Sequence, residues 1–245
     1  MPKYLNPAYA EFLDMMLTPT AGFKVHFWKY GPNEVEGSIA AAANRINFAV
    51  KDCIGRISKL AGDATKTEPH KHEISRQLYD RLAAHVAKDI AYIRDKADKD
   101  AEAAKQRAFA PIAPDPDKIA LYGETRAIFR EMAAKGDPAW PAEATRLVKS
   151  SSDIAAALNA APAFNSGMSE TRRMDLVMTA VTHFSPEDAA AMVHAINVGK
   201  EADRIEQGMS KLRQAAYDTA QSNKARETFV DAEAPFAEPP AEAAE

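Results

Sequence analysis

From Glu34 onward the apolar positions fall into the three-and-four spacing of a helix: Val35, Ile39, Ala42, Ile46, Ala49, Cys53, Ile57 and Leu60. The seam is narrow and has polar flanks, as where one helix lies along another. Its alanines leave room for a close partner, and Gly62 and Asp63 end it. A second seam starts after Pro69 and passes through Ile74, Leu78, Leu82, Val86, Ile90, Ile93, Ala97, Ala101, Ala104 and Ala108. It predicts a helix of roughly 35–40 residues, against a mean of about 11–12. Together the two seams predict a long antiparallel helical hairpin. Along residues 94–108 the seam loses its large side chains, and the helix becomes dense in opposite charges such as Asp95 and Lys99. Such pairs contribute only a few tenths of a kcal/mol each. A stretch that buries so little is expected to project from the body or to pack on another polypeptide, with Ile93, Ala97, Ala101, Ala104 and Ala108 as its contact residues.

The flanking segments read differently. Asn6 and Pro7 have the pattern of a helix cap followed by proline at the first helical position, opening a short helix that ends before Pro19. Next comes the most aromatic stretch of the chain, with Phe23, Phe27, Trp28 and Tyr30 around His26. Phe23, Val25 and Phe27 alternate as a strand would place them, so residues 23–30 are the one place where a short strand, or an extended segment laid over helices, is expected. Residues 109–117 hold Pro111, Pro114 and Pro116, which exclude continuous helix and predict an extended connector.

Beyond the connector the helices shorten. Asp115-Pro116 can cap a helix running to about Lys135, with Gly136 as its left-handed terminator. Helices over residues 143–149, 154–161 (capped by Ser150 with Asp153) and 168–184 follow, and Ser185-Pro186-Glu187-Asp188 opens a last one that fades near Asn223. The predicted fold class is therefore all-α: a long antiparallel hairpin, then a bundle of shorter helices. The expected division is residues 1–110, a proline-rich connector at 111–118, a helical bundle at 119–227 and an acidic tail at 228–245.

Composition sharpens this picture. Of 245 residues 50 are alanine and only 10 glycine, so the best helix former outnumbers the most permissive residue fivefold. The formal charge is −4, yet residues 228–245 carry Asp231, Glu233, Glu238, Glu242 and Glu245 with no basic residue, leaving +1 on the rest of the chain. Pro235, Pro239 and Pro240 forbid a continuous helix there, and Phe229 or Phe236 could anchor the segment in a basic groove. No apolar run approaches the ~18 residues of a membrane helix, and no basic region leads into an apolar stretch at the start of the chain. The single Cys53 cannot close an intrachain disulfide. A reducing, cytoplasmic setting is the expectation, or a place within a virion.

Candidate chemistry is sparse. The chain has no phosphate-binding glycine loop, nucleophile elbow or paired-histidine zinc motif. Cys53 sits in the seam of a helix, where a thiol behaves as a small apolar residue. His70 and His72 could share a metal only with a third ligand from elsewhere. His85 and Asp89 stand one helical turn apart, a spacing for an imidazole–carboxylate couple or for two metal ligands. Glu187, His194 and Glu201 recur every seven residues, which more often marks a solvated face. No catalytic, cofactor-binding or metal-binding residue is therefore assigned, and no cofactor is expected. Basic residues are interspersed with acids, as over residues 200–226, and a nucleic-acid-binding domain would have a pI above about 9 where this chain has about 5.9. No segment combines the basic and aromatic faces of a membrane-surface helix. The expected function is that of a non-enzymatic structural or assembly protein acting through helix–helix contacts in a homo-oligomer or larger assembly, with Phe236 as a further contact residue. Long alanine-rich helices, a proline connector and a charged tail are similar to components of tailed-phage particles, a likeness of composition rather than of any motif. The alternative is a helical enzyme, or a small-ligand or metal-binding protein, whose pocket lies between the two helical pieces and draws on residues 23–30 and Trp140.

Overall fold

The computed structural model describes residues 3–18, 21–31 and 33–227, and every regular element among them is helical. The all-α class read from the periodicities is the observed one. In chain order the α-helices are α1 (Ala10–Leu17), α2 (Ala21–His26), α3 (Gly37–Ala61), α4 (Glu68–Phe109), α5 (Ile119–Ala134), α6 (Trp140–Ser150), α7 (Ser152–Asn159), α8 (Glu170–Phe184), α9 (Pro186–Ala216) and α10 (Thr219–Glu227). Short 3-10 turns cover Pro7–Tyr9, Ala110–Ile112, Pro116–Lys118 and Ala163–Ser166. None of these helices is long and apolar enough to cross a membrane.

The chain forms two compact units. Unit 1 takes the residues up to Ile90 and those from Asp203, and unit 2 takes Ala91–Ala202, so α4 and α9 each supply residues to both. In unit 1, Lys71 Nζ donates to the Ala61 carbonyl at 3.1 Å, and Arg45 Nε donates to Asp89 Oδ1 at 3.1 Å. These contacts join the near and far parts of α3 and α4 as an antiparallel hairpin. The buried face of α3 is wider than the seam in the sequence: Ala43, Val50 and Ile54 join Ile39, Ala42, Ile46, Cys53 and Ile57 inside. The second half of α9 packs on the start of α4, where Tyr79 Oη donates to the Met209 carbonyl at 3.1 Å and Ser75 Oγ to the Ala216 carbonyl at 2.7 Å.

Residues 23–30 are not a strand. Phe27 N–H donates to the Phe23 carbonyl at 2.8 Å, closing a helical turn in α2. On a strand Phe23, Val25 and Phe27 would share one face. Here Phe23 and Phe27 are buried with stacked rings 5.3 Å apart, and Val25 points away with 53 % of its surface exposed. Two glycines admit this turn. A Cβ on Gly22 would meet the Met15 carbonyl oxygen at 2.1 Å, and one on Gly208 would meet the His26 carbonyl at 2.7 Å.

Unit 2 corrects two further expectations. The first concerns residues 94–108, whose seam is covered by its own chain: Ile93, Ala97, Ala104 and Ala108 are all buried to 2 % exposure or less, and Ala101 is half-buried. The first half of α9 lies against them, with Ala97 Cβ 3.6 Å from where a Cβ on Gly199 would stand and Arg107 Nε donating to Asp188 Oδ1 at 2.8 Å. Small residues on both helices bring the backbones together, so the alanine seam needs no second polypeptide. Phe236, the other contact residue expected, lies outside the described residues, as does the rest of 228–245.

The second correction concerns the proline-rich segment. Its prolines stop α4 but do not prevent packing. Ile112 is fully buried in a core with Phe129, Val148, Leu158, Leu176, Val177 and Val181. Asn159 Nδ2 donates to the Ile112 carbonyl at 3.3 Å, and Tyr122 Oη accepts from Asp115 N–H at 3.1 Å. The segment is therefore internal to unit 2 and no border falls there. Smaller adjustments follow the same physics. The cap of α7 is Ser151, whose Oγ accepts from Asp153 N–H at 3.2 Å, not Ser150. Gly136 takes φ 64°, the left-handed value expected past α5. Helix α9 runs unbroken through Gly199, and Asp218 Oδ1 caps a separate α10 by accepting from Gln221 N–H at 3.0 Å.

Candidate functional site

Side chains capable of chemistry are mostly engaged in the fold. His72 is buried, its Nδ1 accepts from Asp218 N–H at 2.9 Å, and burial lowers its pKa, so it serves as a neutral acceptor between α4 and α10. His70, on the same helix, is exposed and does not join it. Asp89 is bound by Arg45, so His85 and Asp89 do not form the couple their spacing allowed. Glu187 and His194 are exposed, Glu201 is buried at 7 % exposure, and His183 lies edge-on to the Phe184 ring at 4.9 Å. Among the described residues no three of His, Cys, Asp and Glu come together as a metal site. The aromatic stretch is core: Phe23, Phe27 and Trp28 are buried in unit 1, and Trp140 packs against the unit 2 core beneath the Arg172 guanidinium.

One polar cluster escaped the reading of the sequence. Glu73 accepts two hydrogen bonds from Arg76 at 2.9 and 2.7 Å, one from Gln77 at 3.1 Å and one from Ser222 Oγ at 2.6 Å. The Arg76 guanidinium, against the opposing effect of burial, holds the Glu73 carboxyl down to about 2. The Glu73–Arg76 spacing was visible as an ordinary helical pair. Its link to Ser222, 149 residues later, could not be read from local spacing. The cluster fastens α10 to α4 and is structural.

A concavity of about 680 Å³ lies between α3 and α4 in unit 1. Helix α3 contributes Arg45, Phe48, Ala49, Asp52, Cys53 and Arg56, all on one face at steps of three and four, and α4 contributes Leu78, Arg81, Leu82 and His85 in the same way. The floor is apolar, and Phe48 stands at 76 % exposure. The rim is cationic. Arg56 Nε pairs with Asp52 at 2.9 Å and Arg45 with Asp89, whereas Arg81 has no carboxylate within 4.0 Å among the described residues. Burial, reinforced by the Asp52 carboxylate, pushes the Cys53 thiol up to about 12. It stays protonated at neutral pH and is no nucleophile.

In unit 2 the exposed apolar surface gathers on helices. Tyr122, Thr125 and Phe129 turn one side of α5 into the core, while Ile119, Leu121 and Ile128 stand exposed at 67, 45 and 54 %. Leu121 and Ile128, seven residues apart, share a face. Comparison with protein-family models, with curated proteins and with solved structures gives no match.

Proposed function

We propose that this chain is a non-enzymatic structural protein that assembles with further copies of itself through helix faces. The carrying observation is that α5 is apolar on two sides and covered on one. Leu121 and Ile128 stand exposed two turns apart beside the buried side of α5, with Glu124 between them. Completing the burial of such side chains is worth about 1.5–3 kcal/mol for each one fully covered. A second copy presents the same pair, so a two-fold arrangement buries both at once. The alanine-rich composition extends the proposal to a component of a larger particle such as a tailed-phage virion.

Sedimentation velocity of the full chain between 1 and 100 µM tests this reading. Dimers or larger species are expected, with Leu121→Glu and Ile128→Glu each weakening association at least tenfold while the helical circular dichroism stays unchanged. A monomer of 26.7 kDa across the whole range would overturn it.

A further inference from the structure

We infer that the concavity between α2 and the second half of α9 in unit 1 is a binding site for a dianionic phosphate group, held by Arg204, Gln207 and Lys211. This inference concerns unit 1 alone and does not depend on how α5 is covered.

The geometry comes from one helix face. Arg204, Gln207, Gly208 and Lys211 follow one another at helical spacing, so all four line the same side of α9. Val25 and His26 of α2 close the other side of a space of about 480 Å³. The two walls are fixed against each other. A Cβ on Gly208 would stand 2.7 Å from the His26 carbonyl and 3.0 Å from the Phe27 ring, so the end of α2 rests on the α9 backbone. Arg204 Nη2 donates to the Val25 carbonyl at 2.6 Å, which fixes the guanidinium at the edge of the concavity.

Charge selects the sign of the ligand. Lys211 Nζ lies 4.8 Å above the Phe12 ring and has no carboxylate within 4.0 Å among the described residues. No acidic residue stands three or four positions from it on α9, so the helix offers it no internal ion pair. His26 feels the same field. Burial first, and then the Lys211 and Arg204 charges, hold its imidazole below the ordinary histidine value, and among the described residues no carboxylate offsets them. Its Nε2 is buried without a hydrogen-bond partner among the described residues, a condition that costs free energy until a partner is supplied. An oxyanion between Arg204 and Lys211 relieves the repulsion and gives the ring an acceptor within the concavity it lines.

The donor set selects the class of anion. A phosphate monoester carries about −1.5 to −2 charge at pH 7 and three strong acceptor oxygens, one for each of the guanidinium, amide and ammonium groups. A carboxylate brings one charge and two acceptors to the same three donors. The space falls within the ~300–1,000 Å³ of small-molecule sites. Val25, 53 % exposed at its edge, offers an apolar contact to the organic part of a monoester.

Inorganic phosphate and a phosphate monoester share this chemistry, and the test separates them. The full 15N-labelled chain is titrated by NMR with inorganic phosphate and, separately, with glycerol 3-phosphate, at an ionic strength held constant with NaCl. Saturating shifts are expected at the amides of Arg204, Gln207 and Lys211 and at the His26 ring, whose own titration midpoint should rise in saturating phosphate. Glycerol 3-phosphate binding at least threefold tighter than inorganic phosphate would make a monoester the ligand, and equal or weaker binding would make it free phosphate; both uphold the site. Lys211→Gln should weaken binding at least tenfold. Gln207→Glu should do the same, because it sets a carboxylate at an exposed position while leaving the Lys211–Phe12 and Arg204–Val25 contacts in place. Should Lys211→Gln disturb the fold, Gln207→Glu alone decides. Shifts that rise without saturating, that NaCl alone reproduces, or that survive in Gln207→Glu would overturn the inference.

Discussion

The α3–α4 contact in unit 1 and the α4–α9 contact in unit 2 are both long antiparallel helix pairs, yet they are built from opposite materials. The first is filled by large side chains: Ile46, Val50, Ile54 and Ile57 from α3 with Leu82, Val86 and Ile90 from α4. The second is Ala97, Ala104 and Ala108 against a helix that offers Gly199 and Ala189. Volume holds the first pair together. Proximity holds the second, because small residues let backbones and neighbouring stems make the dispersion contacts that large side chains would otherwise supply. A seam poor in large residues is thus no sign of an unsatisfied helix.

The contrast is easiest to break by truncation in unit 1. Ile46→Ala or Ile57→Ala removes a fully buried side chain and should cost about 2–5 kcal/mol, the usual range for such cavities. The midpoint of urea unfolding measures it. A loss below 1 kcal/mol would mean that α3 is not held by volume. The polar closure of the same unit comes next in size. Glu73, at 11 % side-chain exposure, has a folded pKa of about 2 against an ordinary 4.5. A depressed carboxylate contributes stability above its unfolded pKa and loses it as pH falls toward the folded value. Stability should therefore drop by about 2–3 kcal/mol between roughly pH 4.5 and pH 2. Glu73→Gln should remove most of that pH dependence while lowering stability at pH 7. An unchanged acid limb in the variant would assign the effect to other carboxylates.

Unit 2 is probed in the opposite direction. Ala97→Leu adds three carbons at a position buried to 1 % exposure opposite Gly199, and overpacking of this kind costs about 1–3 kcal/mol. If the seam faced solvent or awaited a partner, the same change would be neutral or would raise helix stability slightly. Thermal unfolding of Ala97→Leu beside Gln106→Leu, an exposed position on the same helix, separates the two cases.

How much of this was legible depends on whether the governing signal is local. The helices of the hairpin followed from spacing alone, and so did the proline start of α9 at Pro186. What failed did so where distant residues decide. Phe23 and Phe27 fit a strand or a helical turn equally well until Gly208 makes room for the His26 carbonyl and the Phe27 ring. Residues 94–108 read as uncovered because nothing near them names α9, some ninety positions on, as the cover. The prolines of 109–117 announced a break in helix and were read as a break in the body, whereas Ile112 between them is a core residue. For the candidate surfaces, seam analysis put Cys53 and Leu82 inside but gave no warning that Phe48 would stand exposed between arginines. Exposure on a helix flank depends on which neighbours are absent, and one helix's period does not encode that.

The smallest expected effect bears on what proximity requires of charge. Arg107 and Asp188 bridge α4 and α9 at 2.8 Å with side chains 59 and 36 % exposed. If small residues hold the pair and the ion pair only decorates its edge, Arg107→Glu should cost no more than about 1 kcal/mol, and Asp188→Lys in the same chain should restore part of it. Because the bridge is open to solvent, the coupling should shrink further in 0.5 M salt. A double-mutant cycle read by urea unfolding at low and high salt gives the number. A coupling of 2 kcal/mol or more, indifferent to salt, would make electrostatics rather than close approach the reason these helices meet, and the opposition between the two contacts would have to be redrawn.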